Sequence, residues 1–167
     1  GGDGGRVALE LASVAPQRVS QLVLLSPAYR GGPSGADADE FEASEGELLD
    51  DGNVEGAVAL NVNTWLGPEA SFSVREQVAA WQRHTFAVQL AADDDIDSVR
   101  PDVDAARIAI RTLIVSGGHD LNHFRGVARH LAEVMPDARL VELDWAGHLP
   151  SLERPAEVTE LLLAELG

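Results

Sequence analysis

Two residues in the second half of the chain have side chains that could together perform acid–base chemistry. Asp120 ends the segment TLIVSGGHD and His148 ends LVELDWAGH, so each follows a predicted strand. An imidazole can take a proton from a nucleophile or from water, and a carboxylate can fix its tautomer and stabilise its charged form. Alone, an Asp in a strand-end turn is commonly a cap and a loop His is commonly a surface residue. Only their joint pattern points to catalysis.

A predicted α/β fold would bring these two residues together. Near-continuous apolar runs predict buried parallel strands within residues 19–25, at 113–115 and at 138–144, and the helices between them are predicted at 4–15, 123–134 and 155–166. Open parallel sheets place their active sites at the carboxyl ends of the strands. We therefore expect the glycine-rich turn at residues 1–5, Asp120 and His148 to meet at that edge.

Residues 39–92 interrupt the strand–helix alternation with two predicted helical blocks. The first leads to Trp65 and Leu66 and is ended by Gly67 and Pro68, and the second begins at Ser73 and carries Trp81. The two tryptophans have two interpretations, as core residues of a helical insertion or as walls of a substrate pocket.

Composition excludes several classes of function. The chain has 167 residues, no cysteine and a net charge of −16. Like-charge repulsion argues against nucleic acid and anionic membranes as partners, and no apolar run approaches the ~20 residues that span a bilayer. Disulfides and thiolate chemistry are excluded. We predict a cytoplasmic protein with a small-molecule substrate, and the sequence leaves its oligomeric state open.

No metal site and no cofactor are predicted. The spacing of His119, His123 and His130 raises the question of a metal, but His119 precedes the helix and cannot share one helical face with the others. The contiguous acidic residues 93–95 cannot all converge on one cation, so we interpret them as part of a solvated loop.

Several segments resemble the α/β-hydrolase superfamily. TLIVSGGHD resembles its strand and acid turn, AGHLPSLERPAEVTELLLAEL its histidine loop and final helix, and RVALELASVAPQRVSQLVLLSPA the helix and strand that follow the nucleophile elbow. NVNTWLGPEA resembles a segment of the family's cap. The resemblance covers essentially the whole chain, but it matches the family's domain only from the elbow onward.

The resemblance implies a fold, a division into domains and a chemistry. The fold is the C-terminal part of the α/β-hydrolase fold, with about three parallel strands and flanking helices. Residues 1–30 and 100–167 would form this partial core, and 31–99 a helical cap. His148 would be the general base and Asp120 its orienting acid in the hydrolysis of a small ester-like substrate. Because the strands before the elbow are absent, we expect an N-terminally truncated chain.

The nucleophile position has two alternatives because GGDGGRVALELA contains no serine. Aligning the helix places Gly2 at the family's serine position, with the Asp3 amide in the oxyanion hole. Matching only the small residues makes Asp3 the nucleophile and Gly4 the oxyanion donor, as in dehalogenases and epoxide hydrolases. A catalytically silent module of the same fold is a further alternative, and the sequence leaves open whether the chain is active as it stands.

Overall fold

A computed structural model of the chain describes residues 2–33, 35–91 and 102–166, and for residues 2, 3, 90, 91 and 166 it describes the backbone alone. Gly1 and the acidic residues 93–95 singled out above lie outside the described residues. The elements, in chain order, are α1 (Gly2–Val14), β1 (Leu22–Leu25), α2 (Ala36–Asp50), α3 (Val54–Trp65), α4 (Phe72–Ala91), β2 (Thr112–Gly117), α5 (Asn122–Val134), β3 (Ala138–Leu143), α6 (Pro150–Glu153) and α7 (Pro155–Leu166).

The described strands form one parallel sheet in the order β1-β2-β3. Leu24 is in register with Ile114, and Ile114 with Leu140. Every residue of the central strand β2 is buried, as its unbroken apolar run predicts. The predicted three-stranded parallel sheet is therefore confirmed. β1 begins at Leu22, later than the expected residue 19, because a 3₁₀ turn at Pro16–Arg18 precedes it.

The main core lies between one face of the sheet and helices α1 and α5. Leu9 of α1 and Leu131 of α5 are each about 1% exposed or less, and they pack with Leu24 and Ile114 of the sheet. The buried residues of each helix are three or four positions apart, so each helix turns one apolar side toward the strands. They are Leu9 and Ala12 in α1 and Val127, Ala128 and Leu131 in α5. Because α5 begins just after β2 ends and α1 ends just before β1 begins, α1 and α5 both begin at the carboxyl edge of the sheet.

Truncating Ile114 should destabilise the fold strongly. Ile114 is fully buried at the centre of β2, so Ile114→Ala removes apolar contacts and leaves a void. We expect the free energy of unfolding to fall by about 2–5 kcal/mol in urea titrations followed by circular dichroism. Leu163→Ala is the matched control, since Leu163 is 70% exposed on α7. Equal losses in the two variants would contradict this account of the core.

The segment between β1 and β2 contains three described helices where the sequence predicted two blocks. The first block divides between α2 and α3 at Gly52, which has a left-handed φ of 72°. Asn53 then caps α3 by accepting a hydrogen bond from the Gly56 N–H at 3.0 Å. These helices have their own apolar cluster, which includes Val58, Val62 and Phe86 and receives Leu149 and Leu152 from beyond β3. That the segment is a cap stays a prediction.

None of the helices that the structure describes has the length and apolarity needed to cross a membrane.

Candidate active site

The turns after β2 and β3 are joined at the carboxyl edge of the sheet. The Gly118 N–H donates to the Leu143 carbonyl at 2.8 Å, and the His119 N–H donates to the Ala146 carbonyl at 2.9 Å. Gly117 lies so close to the next turn that a Cβ atom there would overlap the Gly147 carbonyl oxygen. The Gly-Gly turn therefore permits a close backbone approach that a larger residue would prevent.

This approach brings together the two residues that the sequence singled out. His148 Nδ1 lies 2.8 Å from Asp120 Oδ2, and the two residues are only 8% and 5% exposed. The other carboxylate oxygen of Asp120 accepts the Leu121 N–H at 2.8 Å. A carboxylate accepts and does not donate, so it selects the imidazole tautomer with its proton on Nδ1. The Nε2 atom is then the available base, and no described group forms a hydrogen bond with it.

Two aromatic rings flank the imidazole. The ring centroids of Phe124 and Trp65 lie 4.5 and 4.9 Å from that of His148. The backbone N–H of His148 also donates to the backbone carbonyl of Trp65 at 2.9 Å. These contacts restrict rotation of the imidazole, so that Nε2 keeps one direction. Next to it lies a cavity of about 400 Å³ lined by Trp65, Val78, Trp81, Gln82, Phe124, His148, Leu149 and Leu152.

Asn61 supports Trp65 from within the helical segment. It is 2% exposed, and its Oδ1 atom accepts the Trp65 indole N–H at 2.7 Å and the Gln82 amide at 2.6 Å. Its Nδ2 atom donates to the Ala57 carbonyl at 2.9 Å and to the Glu45 carboxylate. One satisfied buried amide thus ties α2, α3 and α4 together behind the ring that packs against His148.

Glu153 links the histidine loop to the end of α3. Its two carboxylate oxygens accept the Gly147 N–H at 2.8 Å and the Gly67 N–H at 3.0 Å. Burial raises the pKa of the Glu153 carboxyl above its usual range, although the Gly147 and Gly67 N–H groups and the charge of Arg75 oppose the shift. The carboxylate holds the backbone beside His148 by accepting two donors at once.

Replacing Glu153 by glutamine should loosen this link. Glutamine offers one acceptor oxygen where the carboxylate offers two, so one glycine N–H loses its partner and Glu153→Gln should cost about 1–3 kcal/mol of unfolding free energy at neutral pH. Because the pKa is raised, the folded chain binds the Glu153 proton more readily than the unfolded chain. The stability that this proton confers is lost as the pH rises through the raised pKa.

The gap between the unsubstituted chain and Glu153→Gln should therefore widen as the pH is lowered from neutrality toward the ordinary carboxyl range. Urea titrations at several pH values measure it, and Glu157→Gln is the control because Glu157 is exposed on α7. A gap that narrows on acidification would contradict the raised pKa.

The predicted nucleophile positions lie at the start of α1. Gly5 packs against Pro27, just past β1, which puts the beginning of α1 at the same sheet edge as Asp120 and His148. Gly2 and Asp3 are the first residues of the helix, and their side chains lie outside what the structure describes. The first N–H groups of a helix have no intrahelical partner. The assignment of the Asp3 and Gly4 N–H groups as oxyanion donors stays a prediction, and so does the choice between Gly2 and Asp3 as the nucleophile position.

Trp81 and the histidines considered for a metal site lie in different surroundings from one another. Trp81 lines the cavity and is 50% exposed. His123 Nδ1 accepts the Gly35 N–H at 3.1 Å, and His130 stacks on Tyr29. Within residues 2–33, 35–91 and 102–166, no group of three or more His, Asp or Glu side chains is placed to hold a metal ion.

Sequence reasoning missed the roles of Asn61, Phe124 and Glu153. Asn61 carried a usable signal, because it stands in the apolar stripe formed by Val58, Val62 and their neighbours, where a lone amide needs buried partners. Glu153 lies inside the quoted histidine-loop segment but has no periodicity that marks it. Phe124 is one apolar residue of an amphipathic helix, and that pattern does not indicate its contact with His148.

The chain is similar in sequence to a known hydrolase. It is 28% identical over 170 residues to the protein named "Putative carbamate hydrolase RutD" from Pseudomonas savastanoi pv. phaseolicola, a match that covers 96% of this chain and 63% of that protein. The chain thus spans less than two thirds of that relative's length.

Solved structures show the same fold. Est816, described as an N-acyl homoserine lactone degrading enzyme, matches with a TM-score of 0.68 and 27% identity over 96% of this chain and 63% of its own. MGS-M2, an alpha/beta hydrolase enzyme from a Medee basin deep-sea metagenome library, matches with a TM-score of 0.71 and 19% identity, covering 98% of this chain and 62% of its own.

The family model for the alpha/beta hydrolase family matches residues 3–161, which is nearly the whole chain. The match includes both strand-end turns and the helical segment between β1 and β2. The chain belongs to the alpha/beta hydrolase family.

Proposed function

We propose that this protein hydrolyses a small, uncharged ester-like substrate, with His148 as general base and Asp120 as the residue that orients it. One observation carries the proposal: the 2.8 Å contact between His148 Nδ1 and Asp120 Oδ2 leaves Nε2 available beside an aromatic cavity. A buried carboxylate, an imidazole of fixed tautomer and an adjoining cavity are the general-base part of the arrangement that acyl hydrolysis uses.

In the proposed reaction, His148 Nε2 takes a proton from a water molecule as the water oxygen bonds to the substrate's carbonyl carbon. The bond between that carbon and the leaving oxygen then breaks. The proton passes from Nε2 to the leaving oxygen, so the products are an acid and an alcohol. Asp120 stays ionised and stabilises the transient imidazolium.

The two nucleophile alternatives differ in what precedes this water attack. With Gly2 at the serine position, water attacks the substrate directly. With Asp3 as nucleophile, the substrate is an alkyl halide or an epoxide. The Asp3 carboxylate bonds to its carbon as the halide leaves or the epoxide C–O bond breaks, and the water activated by His148 then hydrolyses the resulting ester and restores the carboxylate. Mass spectrometry of a His148→Ala variant mixed with substrate separates them. A modified Asp3 supports the second route, and an unmodified Asp3 supports the first.

The named relatives support an acyl substrate. Carbamates and lactones, the compound classes in their printed names, both carry a carbonyl group that a hydrolase attacks. Helices α2–α4 would act as the cap, within residues 31–99, because Trp65 of α3 packs on His148. The net charge of −16 supports a small molecule over nucleic acid as partner. The cytoplasmic location stays a prediction.

The test is turnover of 4-nitrophenyl acetate, followed as release of nitrophenolate. A positioned general base contributes about 10²–10⁴-fold, so we expect hydrolysis to exceed the spontaneous rate by that factor. A second candidate function is a silent module of this fold, favoured by the lack of any serine among residues 1–5. Hydrolysis no faster than in buffer would support the silent module.

A further inference from the structure

Apart from His148 itself, the described lining of the cavity beside His148 has one polar side chain without an aromatic ring. Trp65, Trp81 and Phe124 supply rings, and Val78, Leu149 and Leu152 supply aliphatic groups. Gln82 is that side chain, and it stands on α4, whereas His148 stands on the loop after β3. The proposed reaction uses His148 Nε2 as the base, so a hydrogen-bond donor elsewhere on a bound substrate is matched at Gln82.

The amide of Asn61 can adopt only one orientation. The Ala57 carbonyl accepts and cannot donate, so the Asn61 atom 2.9 Å from it must be the NH₂ group. The Trp65 indole N–H donates and cannot accept, so the Asn61 atom 2.7 Å from it must be the oxygen. The two contacts agree, so they fix which end of the Asn61 amide is the oxygen and which is the NH₂ group.

This orientation determines how Gln82 must lie. Asn61 Oδ1 accepts only, so the Gln82 atom at 2.6 Å from it is the NH₂ group. The other end of the Gln82 amide is then the Oε1 acceptor, and none of the described groups donates to it. A fixed acceptor without a protein partner is thus available on a residue that lines the cavity.

We infer that Gln82 is a specificity-determining residue, and that the cavity takes acyl substrates that carry an uncharged N–H group, as amides and carbamates do. An N–H buried among aromatic rings without an acceptor loses its hydrogen bonds to water, and Gln82 Oε1 replaces them. A substrate with a methyl group at that place gains nothing from Gln82. The inference rests on the proposed function, because it assigns this cavity to the substrate.

Benzamide and acetophenone test the inference, because they have the same shape and differ only in NH₂ against CH₃. Both are titrated into ¹⁵N-labelled full chain, and the dissociation constants are read from the indole N–H resonances of Trp65 and Trp81. In the unsubstituted chain, benzamide should bind at least as tightly as acetophenone. In Gln82→Met, which keeps the length of the side chain and removes the acceptor, benzamide should weaken about fivefold to tenfold relative to acetophenone.

Gln77→Met is the matched control, because Gln77 is exposed on the same helix. It should leave the ratio of the two constants unchanged. An unchanged ratio in Gln82→Met, a marked preference of the unsubstituted chain for acetophenone, or no binding of either compound would each overturn the inference. If Gln82→Met does not fold, the ratio in the unsubstituted chain decides alone.

This experiment measures binding without turnover, so it separates two kinds of failure. A chain that favours benzamide but does not hydrolyse 4-nitrophenyl acetate would contradict the proposed function and keep the role of Gln82. A chain that hydrolyses 4-nitrophenyl acetate but whose ratio of the benzamide and acetophenone dissociation constants is unchanged in Gln82→Met would keep the proposed function and contradict the role of Gln82.

Discussion

Replacing His148 by alanine is expected to lower kcat/KM for 4-nitrophenyl acetate by about 10²–10⁴-fold, the range that a positioned general base contributes. The variant removes the imidazole proposed to take the proton from water. Steady-state nitrophenolate release measures the loss. His84→Ala is the matched control, because His84 is exposed on α4 and should leave the rate unchanged.

Loss of packing must be separated from loss of the base. The imidazole lies between Trp65 and Phe124, so alanine leaves a gap there. His148→Gln fills most of this space with an amide that is not basic, so it should be as inactive as His148→Ala while melting closer to the unsubstituted chain. A glutamine variant that keeps more than about a tenth of the activity would contradict a general-base role.

Replacing Asp120 by asparagine is expected to lower kcat/KM by about 10²-fold or more, without exceeding the loss in His148→Ala. An amide in place of the carboxylate can present its NH₂ group to Nδ1, which selects the tautomer whose proton is on Nε2. It also withdraws the negative charge that stabilises the imidazolium. The nitrophenyl ester assay measures this effect too.

Asp144→Asn is the control for the change in charge. Asp144 directly follows β3, as Asp120 follows β2, but its side chain is exposed. It should keep full activity. Equal losses at the two positions would indicate a general electrostatic effect and would remove the special role of Asp120.

The meeting of Asp120 and His148 could be predicted from sequence because it depends on only two local features. Apolar runs identify β2 and β3, and parallel neighbours in a sheet end at the same edge. Residues just beyond those ends must then lie close together. The order of the glycine-rich turn, Asp120 and His148 along the chain, together with the histidine-loop segment, predicted the family, and the family model confirms it.

The supports of the site depend on packing between distant segments, so local patterns did not reveal them. Glu153 has its role because Gly67 and Gly147 approach each other from different parts of the chain. The division between α2 and α3 follows from a single left-handed glycine at position 52, inside a region whose composition is helical throughout. Periodicity reports which side of an element is buried but not which polar partner it meets.

The most direct measurement of the central claim is a double-variant cycle on Asp120 and His148. If Asp120 acts through His148, the variant that combines Asp120→Asn with His148→Ala should hydrolyse 4-nitrophenyl acetate as slowly as His148→Ala alone, because an orienting residue has nothing left to orient. Losses that multiply, so that the double variant is slower than His148→Ala by the whole factor seen for Asp120→Asn, would show that the two residues act independently and would contradict the account.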